Sequence, residues 1–241
     1  MSLFTLFTKF SFSRLPQLPT HKPKFSYSTK QQQQHDLWSK PETADFVAAA
    51  KTIPSIPKSK GLPEVRRANV GKSTLLNAVI GRKSLLSTSK KAGHTRALNF
   101  YRVGPEPGKL LLVDAPGYGA RGRPEWGDLF DHYLKARQQL KRVYILFNAK
   151  HGLNSYDTQM LSHLSQSLIT SRGTQPFTLQ AIITKVDTVP VDKLESALEQ
   201  MRKGIWAAAP LCLPPIVTSA EMSPPFGLDA VRRNIAEACA L

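Results

Sequence analysis

Apolar positions along the chain follow two spacings, one typical of strands and one typical of helices. KLLLVD, RVYILFNAK and FTLQAIITKVD are short apolar runs that predict buried strands. Between such runs lie segments such as PEWGDLFDHYLKARQQL, where apolar residues recur every three or four positions, as in an amphipathic helix. Strands that alternate with helices predict a doubly wound α/β fold with a mostly parallel sheet. Ligands of such sheets bind beyond the carboxyl ends of the strands.

The same patterns extend over the rest of the chain. Residues 97–103 and PPIVTSA are predicted strands, while SYDTQMLSHLSQSLIT, VDKLESALEQMRKGI and GLDAVRRNIAEAC are predicted helices. Before the Pro-rich connector TIPSIPKSKGLP, the segment PETADFVAAAK is predicted to form a short helix.

A phosphate-binding motif opens the helix in RRANVGKSTLLNAVIGR, residues 66–82. Gly71 lets the backbone approach phosphate oxygens, and the helix N-terminus directs free N–H groups at them. Lys72 neutralises charge on the β- and γ-phosphates, and Ser73 offers a hydroxyl to Mg²⁺. These residues form the second half of a P-loop. The complete motif has Gly five residues before Gly71, where this chain has Arg66.

Two further segments offer groups to a metal ion and a γ-phosphate. Asp114 ends the strand KLLLVD and begins DAPGYG, so its carboxylate can hold the water shell of Mg²⁺. The N–H of Gly117 can reach the γ-phosphate and sense whether it is present. Thr95, in the basic loop KKAGHTR, is placed to give the metal a second hydroxyl.

Residues after the last two strands predict recognition of a guanine base. In TKVD, which runs from Thr184 to Asp187, the stem of Lys185 can lie along the base. Asp187 can accept two N–H groups from guanine, a pair that adenine lacks. TSA, residues 218–220, supplies a backbone N–H to the guanine oxygen.

With these motifs in this order, the chain resembles a GTPase of the TrmE-Era-EngA-EngB group, and within it the EngB (YihA/YsxC) family of ribosome-assembly GTPases. The resemblance runs from about Pro63 to the C-terminus. It includes RANVGKSTLLNAV, KKAGHTRALNFY, DAPGYG, TKVD, TSA followed by Gly227, and the helix with Trp126, Tyr133 and Arg137. It implies a Ras-like G domain with GTP as substrate, Mg²⁺ as cofactor and slow hydrolysis. The implied partners are ribosomal RNA and the large ribosomal subunit.

The motif chemistry and the resemblance together give the predicted site. The predicted catalytic residues are Asn69, Lys72 and Thr95, and the predicted metal ligands are Ser73, Thr95 and Asp114. The predicted nucleotide-binding residues are Asn69, Val70, Gly71, Lys72, Ser73, Thr74, Asp114, Gly117, Thr184, Lys185, Asp187, Thr218, Ser219 and Ala220. Tyr118 stands where Ras-like GTPases have a water-orienting Gln. The resemblance implies that Asn69 recruits a monovalent cation such as K⁺ instead.

The chain departs from the family pattern in two ways. Asn148 and Lys150 replace an acidic residue and an Arg, which alters a salt bridge rather than catalysis. More serious is the first strand, which is truncated and has Val65 as its only apolar residue before Ala68. If about four buried apolar side chains are missing, the loss is roughly 6–12 kcal/mol, against the ~5–15 kcal/mol that stabilises a domain. The hypothesis is that a few residues ending in Gly are lost after Val65, and that this chain binds GTP poorly and is marginally folded.

Two alternative functions remain open. The first is an RNA-binding or assembly scaffold that keeps the G-domain shape without binding nucleotide. Arg66 and the missing strand before the P-loop favour this alternative. The residues that oppose it are Lys72, Ser73, Asp114 and Asp187. The second is an Era-like or EngA-like GTPase, which is disfavoured because little sequence follows the last helix.

Charge and composition add expectations about partners and compartment. The net charge of +16 favours a polyanionic partner, with RNA as the first candidate. No apolar run approaches the ~20 residues of a membrane span. Cys212 and Cys239 fit no metal spacing and are read as reduced thiols. Further cations crowd the two loops expected to sense the γ-phosphate: Lys90, Lys91, Arg96, Arg121 and Arg123.

The N-terminal segment is basic, rich in Ser and Phe, and free of acidic residues until Asp36. This composition is typical of an organelle transit peptide. We therefore expect a transit peptide and Gln-rich linker over residues 1–35, an extension over 36–62 and an EngB-type G domain over 63–241. The expected location is the mitochondrial matrix, with the plastid less favoured. The oligomeric state stays open.

Overall fold

The computed structural model describes residues 37–58, 61–68, 72–82, 84–86, 97–115, 124–170 and 177–241. The strands are β1 (Asp45–Ala50), β2 (Glu64–Ala68), β3 (Leu98–Val103), β4 (Leu110–Asp114), β5 (Leu140–Asn148), β6 (Thr178–Thr184) and β7 (Cys212–Val217). The helices are α1 (Lys72–Ile80), α2 (Pro124–Ala136), α3 (Ser155–Thr170), α4 (Val191–Ala208) and α5 (Leu228–Ala238).

The seven strands form one sheet in the order β1-β3-β4-β2-β5-β6-β7. β3 pairs antiparallel with β1 and with β4, and the other neighbouring strands pair in parallel. The predicted doubly wound, mostly parallel α/β fold is therefore confirmed. Among the described residues, no helix is both long enough and apolar enough to span a membrane.

Helices cover both faces of the sheet because its central strands are apolar on both sides. In β5, Val143 and Ile145 pack in the core on one face, together with the apolar sides of α2, α3 and α4. Tyr144 and Leu146 pack in the core on the other face with α1 and α5. Side chains alternate between the two faces of a strand, so a strand buried on both reads as a continuous apolar run.

The first described strand corrects one expectation, because PETADFVAAAK does not form the predicted short helix. Pro41–Thr43 is a single 3-10 turn, and Asp45–Ala50 forms β1 at the edge of the sheet. β1 pairs with β3, the Phe46 and Tyr101 rings meet edge to face at 5.7 Å, and Asp45 pairs with Arg102 at 3.1 Å. Tertiary pairing thus overrides the helix propensity of the alanine run.

The truncated strand before the P-loop still pairs within the sheet, although Val65 is its only apolar residue before Ala68. β2 is five residues long and lies in the middle of the sheet, paired with β4 and β5. Backbone hydrogen bonds to two neighbours hold it there, and these do not depend on the side chains. As a result, two charged side chains are buried, with exposed fractions of 0% for Glu64 and 1% for Arg66.

The buried Glu64 carboxylate contacts Tyr133 in α2 and Arg137, the residue that follows α2. The Tyr133 hydroxyl donates to one carboxylate oxygen of Glu64 at 2.5 Å, and Arg137 Nε donates to the same oxygen at 3.1 Å. Arg137 Nη2 lies 3.0 Å from the other oxygen. Burial raises the pKa of Tyr133 well above its ordinary value, so the phenol stays protonated and can donate. The buried carboxylate is thus compensated.

Candidate functional site

The predicted site residues that the structure describes gather at the carboxyl edge of the parallel strands. Ser73 and Thr74 lie half-buried in the first turn of α1, which follows β2. Asp114 ends β4, Thr184 ends β6, and Thr218 follows β7. A cleft at this edge is lined by Thr74, Leu75, Thr184, Lys185, Thr218, Ser219, Ala220 and Glu221. Six of these eight were predicted to bind nucleotide, so the structure brings the start of α1 together with the two base-recognition segments.

The TKVD segment turns sharply where β6 ends. Thr184 is buried, and its hydroxyl donates to the Phe147 carbonyl at 3.0 Å, which ties the end of β6 to β5. Lys185 has left-handed backbone angles, φ 59° and ψ 38°, and the 3-10 turn Val186–Thr188 follows. Val186 is buried in the core, whereas Asp187 is exposed. The carboxylate that the sequence predicts to bind the base is therefore accessible to solvent.

The TSA segment is held from both sides. The Thr218 N–H donates to the Ile183 carbonyl at 2.7 Å, and Ser219 and Phe226 exchange backbone hydrogen bonds of 3.0 and 2.8 Å. The loop closes at Gly227, where φ is +75° and a Cβ would lie 2.2 Å from the Val217 carbonyl oxygen. Only glycine fits this close approach.

The two base-recognition segments also contact each other through side chains. Ser219 is buried, and its hydroxyl donates a short hydrogen bond to Oδ1 of Asp187. A carboxylate held by a second residue is fixed in orientation before ligand arrives. The sequence predicted Ser219 only as part of a backbone donor segment. No local pattern signals this pairing across 32 positions.

Asp114 has the properties of a group that serves a cation. It is only 2% exposed, and its Oδ1 atom has no hydrogen-bond partner among the described residues. A buried carboxylate oxygen without a donor is costly unless a cation or ordered water satisfies it. Ser73 carries a hydroxyl in the first turn of α1, which follows β2, the strand that pairs with β4. Two hard oxygen donors of this kind fit Mg²⁺, which prefers few protein ligands together with water and phosphate.

Several predicted site residues lie outside the described part of the chain. These are Asn69, Val70, Gly71, Thr95 and Gly117, together with Tyr118 and the loop cations Lys90, Lys91, Arg96, Arg121 and Arg123. Lys72 begins α1, but its side chain is also outside the described part. The catalytic assignments to Asn69, Lys72 and Thr95 therefore stay predictions.

A mostly parallel sheet with a helix that begins at Lys72-Ser73, a buried Asp at the end of β4 and base-recognition segments after β6 and β7 defines a P-loop GTPase. The sequence model of the protein family described as "50S ribosome-binding GTPase" matches residues 65–200 of this chain. A probable GTP-binding protein EngB of Cereibacter sphaeroides is 34% identical over 200 residues, covering 80% of this chain and 86% of its own. One from Rhodopseudomonas palustris is 36% identical over 168 residues, covering 66% and 73%. The chain belongs to the EngB family of GTP-binding proteins.

Solved structures support the same fold. Toc33 from Arabidopsis thaliana superposes with a TM-score of 0.56 at 12% identity, over 88% of this chain and 92% of its own. Era, in a complex with MgGDPNP and a 16S ribosomal RNA fragment, gives 0.51 at 21% identity. That match covers 73% of this chain and 56% of the Era chain. At these identities the likeness concerns the fold alone.

Proposed function

We propose that this protein is a Mg²⁺-dependent GTPase with slow unaided hydrolysis that assists assembly of the large ribosomal subunit in mitochondria. The observation that carries the proposal is the contact between Ser219 and Asp187 at the cleft beside α1. A guanine-selective carboxylate that is already oriented serves nucleotide recognition and has no evident structural purpose. The family description "50S ribosome-binding GTPase" and the net charge of +16 support a ribosomal partner containing RNA.

The predicted site residues would take the following parts in this function. Asp187 accepts the two guanine N–H groups, while the segment from Thr218 to Ala220 presents its backbone to the guanine oxygen. Ser73 and Asp114 would hold Mg²⁺, which would supply positive charge to stabilise the charge that develops during phosphoryl transfer. Hydrolysis is slow because Tyr118, in place of Gln, cannot orient the attacking water.

Nucleotide titration tests the central claim. The full chain is titrated with fluorescent GTP, GDP and ATP analogues, with Mg²⁺ and with EDTA. We expect binding of the guanine nucleotides only, weakened when Mg²⁺ is removed and lost in Lys72→Ala. Lys193→Ala, on the exposed side of α4, is the matched control and should bind as the unmodified chain does.

A nucleotide-free scaffold is the second candidate, and one observation favours it. Arg66 stands where the P-loop has Gly, and its side chain is buried in the strand that leads into the loop. A chain that folds cooperatively and binds ribosomal RNA, but shows no guanine nucleotide binding at millimolar concentration, would establish the scaffold and exclude the GTPase.

We also propose that K⁺ accelerates hydrolysis through Asn69, supplying positive charge that Tyr118 cannot. Initial rates are compared in KCl and NaCl at equal ionic strength. We expect faster turnover in KCl and no difference between the salts in Asn69→Ala. Equal rates in the unmodified protein would contradict this role.

The mitochondrial location rests on the acid-free basic N-terminus. A fluorescent reporter fused after residue 36 should enter mitochondria. The matched control replaces Lys9 and Arg14 with Glu and should leave the reporter in the cytosol. Import into plastids would replace the mitochondrial assignment, and a reporter that stays cytosolic in both forms would remove it.

A further inference from the structure

A groove of about 930 Å³ lies beside β7, between α4 and α5. β7 is the last strand of the sheet, so this groove runs along the sheet edge opposite β1. Its volume is in the range of sites that bind drug-sized ligands, roughly 300–1,000 Å³. We call it the α4–α5 groove. The residues that line it are Ala78, Leu198, Arg202, Ile216, Val217, Pro225, Phe226, Gly227, Leu228, Asp229, Ala230, Arg232 and Arg233.

The floor of the groove is apolar and largely aliphatic. Among the described residues of the lining, Phe226 is the only aromatic one, and branched aliphatic groups come from Leu198, Ile216, Val217 and Leu228. Binding of single-stranded nucleic acid relies on several aromatic faces on which bases stack. An aliphatic floor instead accepts the apolar side chains of a polypeptide.

The charged residues of the groove are three arginines and one aspartate, which gives a net charge of +2. Arg232 is committed to the fold, because it donates to the carbonyls of Val79 and Ala78 at 2.9 and 3.2 Å and pairs with Asp229 at 3.1 Å. Arg202 lies 3.9 Å from Glu199 in a partly exposed, weak ion pair. Arg233 is exposed at the rim. A ligand therefore meets positive charge above an apolar floor.

α4 extends this surface beyond the groove. Trp206 lies one helical turn after Arg202 and is 70% exposed, and nearby in sequence Leu211 is 54% exposed. Exposed tryptophan beside arginine is typical of binding hot spots in protein interfaces.

The groove shares a segment with the base-recognition site. Phe226 lines the groove, while its backbone exchanges two hydrogen bonds with Ser219. Ser219 in turn holds Asp187 through its hydroxyl. A ligand that moved Phe226 would therefore act on Ser219 and, through its hydroxyl, on the Asp187 carboxylate.

We propose that the α4–α5 groove binds an acidic, apolar segment of a protein partner, and that this binding is coupled to guanine nucleotide through Phe226 and Ser219. The coupling rests on the proposed GTPase function, whereas binding to the groove does not. Carboxylates of the segment pair with Arg202 and Arg233, and its apolar side chains pack on the floor between them. Coupling of this kind is reciprocal, so the partner and the nucleotide change each other's affinity by the same factor.

Fluorescence anisotropy with the full chain tests groove binding without nucleotide. The probe is a short fluorescein-labelled peptide in which Glu alternates with Leu, and the comparison peptide has Lys in place of Glu. We expect the acidic peptide to bind and the peptide with Lys not to bind. Arg202→Gln and Arg233→Gln should each weaken it by up to about fivefold. Lys193→Gln is the matched control, because nine positions before Arg202 it lies on the opposite side of α4 and should leave affinity unchanged.

Four outcomes would overturn the peptide assignment. Equal binding of both peptides would remove the role of the arginines. Tighter binding of a labelled single-stranded RNA, lost in Arg233→Gln, would make the groove a nucleic-acid site. Self-association of the chain that is abolished by Arg233→Gln would identify a second copy as the occupant. Peptide binding that appears only after deletion of residues 1–36 would identify the chain's own N-terminal segment as the occupant of the groove.

The coupling is measured by repeating the titration with saturating GDP. We expect peptide affinity to change by roughly fivefold or more, within the usual range of allosteric coupling. The change should disappear in Ser219→Ala, which lacks the hydroxyl that holds Asp187. Unchanged peptide affinity in a chain that binds GDP would overturn the coupling. A chain that binds the peptide but no guanine nucleotide would refute the proposed GTPase function and leave the groove assignment standing.

Discussion

The guanidinium carbon of Arg66 lies 3.4 Å from the centre of the Phe130 ring, in the interface between the sheet and α2. The side chain is 1% exposed, and its Nε and Nη1 atoms have no hydrogen-bond partner among the described residues. Burial lowers the pKa of Arg66 to about 9. A cation over a ring gains on the order of 2 kcal/mol when desolvated, which does not offset burial of a charge with unpaired donors. Arg66 is therefore a source of instability in the core.

We expect Arg66→Met to raise the free energy of unfolding by about 1–4 kcal/mol, because an apolar side chain of similar length replaces a buried charge. Urea unfolding at pH 7 measures the change. Arg233→Met, at an exposed position, is the control, and it should change the free energy of unfolding very little. A destabilised Arg66→Met would mean that the guanidinium stabilises the core.

The same residue gives a pH dependence. Because burial lowers the pKa of Arg66 in the folded chain to about 9, below the ordinary value of arginine, the unfolded chain binds more protons above about pH 9. The cost of burying the charge is therefore complete below pH 9 and shrinks above it. The stability difference between Arg66→Met and the unmodified chain should narrow as the pH rises from 9 to 10.5. A constant difference would contradict the lowered pKa.

Replacing Arg66 with Ala-Phe-Leu-Gly should raise both the melting temperature and the affinity for GTP. The replacement restores apolar side chains to β2, places a Gly five residues before Gly71 and removes the buried Arg66. In a chain of this size each kcal/mol corresponds to roughly 2–4 °C. Thermal unfolding and nucleotide titration are the measurements.

Replacing Arg66 with Ser-Gly-Ser-Gly is the matched control, and its melting temperature should be lower than that of the chain with Ala-Phe-Leu-Gly. The hypothesis of lost residues fails if the unmodified chain already binds GTP tightly and melts cooperatively. It also fails if transcript sequencing confirms this junction in a chain that acts in ribosome assembly.

Tyr133→Phe should lower the free energy of unfolding by roughly 1–3 kcal/mol, because the buried Glu64 carboxylate loses a charge-assisted hydrogen bond. Urea unfolding is again the measurement. Tyr156→Phe, at a half-exposed position at the start of α3, removes the same hydroxyl and should have little effect. Equal effects of the two changes would show that the Glu64 contact adds nothing.

Asp187→Asn should weaken GTP binding and improve xanthosine triphosphate binding, each by roughly 1–3 kcal/mol, because the amide cannot accept both guanine N–H groups. Competition titrations with the two nucleotides measure the change. Asp192→Asn, on the exposed start of α4, is the control that should keep guanine preference. Unaltered GTP affinity in Asp187→Asn would reject the assignment.

Removal of residues 1–40 should lower the melting temperature more than removal of residues 1–36 does. The reason is that Leu37 and Trp38 are buried in the core that covers α1, at 5% and 9% exposure. Loss of their buried apolar surface costs roughly 3 kcal/mol or more. If Leu37→Ala and Trp38→Ala in the full chain melt as the unmodified protein does, the segment does not contribute to the core.

Much of the fold is local information and could be predicted from the pattern of residues. The buried strands β5 and β6 and the helices α3 and α4 are recognisable because their apolar spacing is fixed by the geometry of each element. The cleft residues Thr74, Thr184 and Thr218 were found in the same way, since motif residues fall where strands end. The division of the chain at residues 35 and 62 stays a prediction.

Other features depend on parts of the chain that are distant in sequence. β1 is a strand because the free edge of β3 pairs with it, although its own residues favour a helix. β2 holds the central position despite Glu64 and Arg66, because backbone hydrogen bonds to β4 and β5 act whatever the side chains are. The contacts of Glu64 with Arg137, 73 positions away, and of Ser219 with Asp187 arise only when packing brings them together. Local periodicity does not predict contacts between residues that are distant in sequence, so only the tertiary structure determines these pairings.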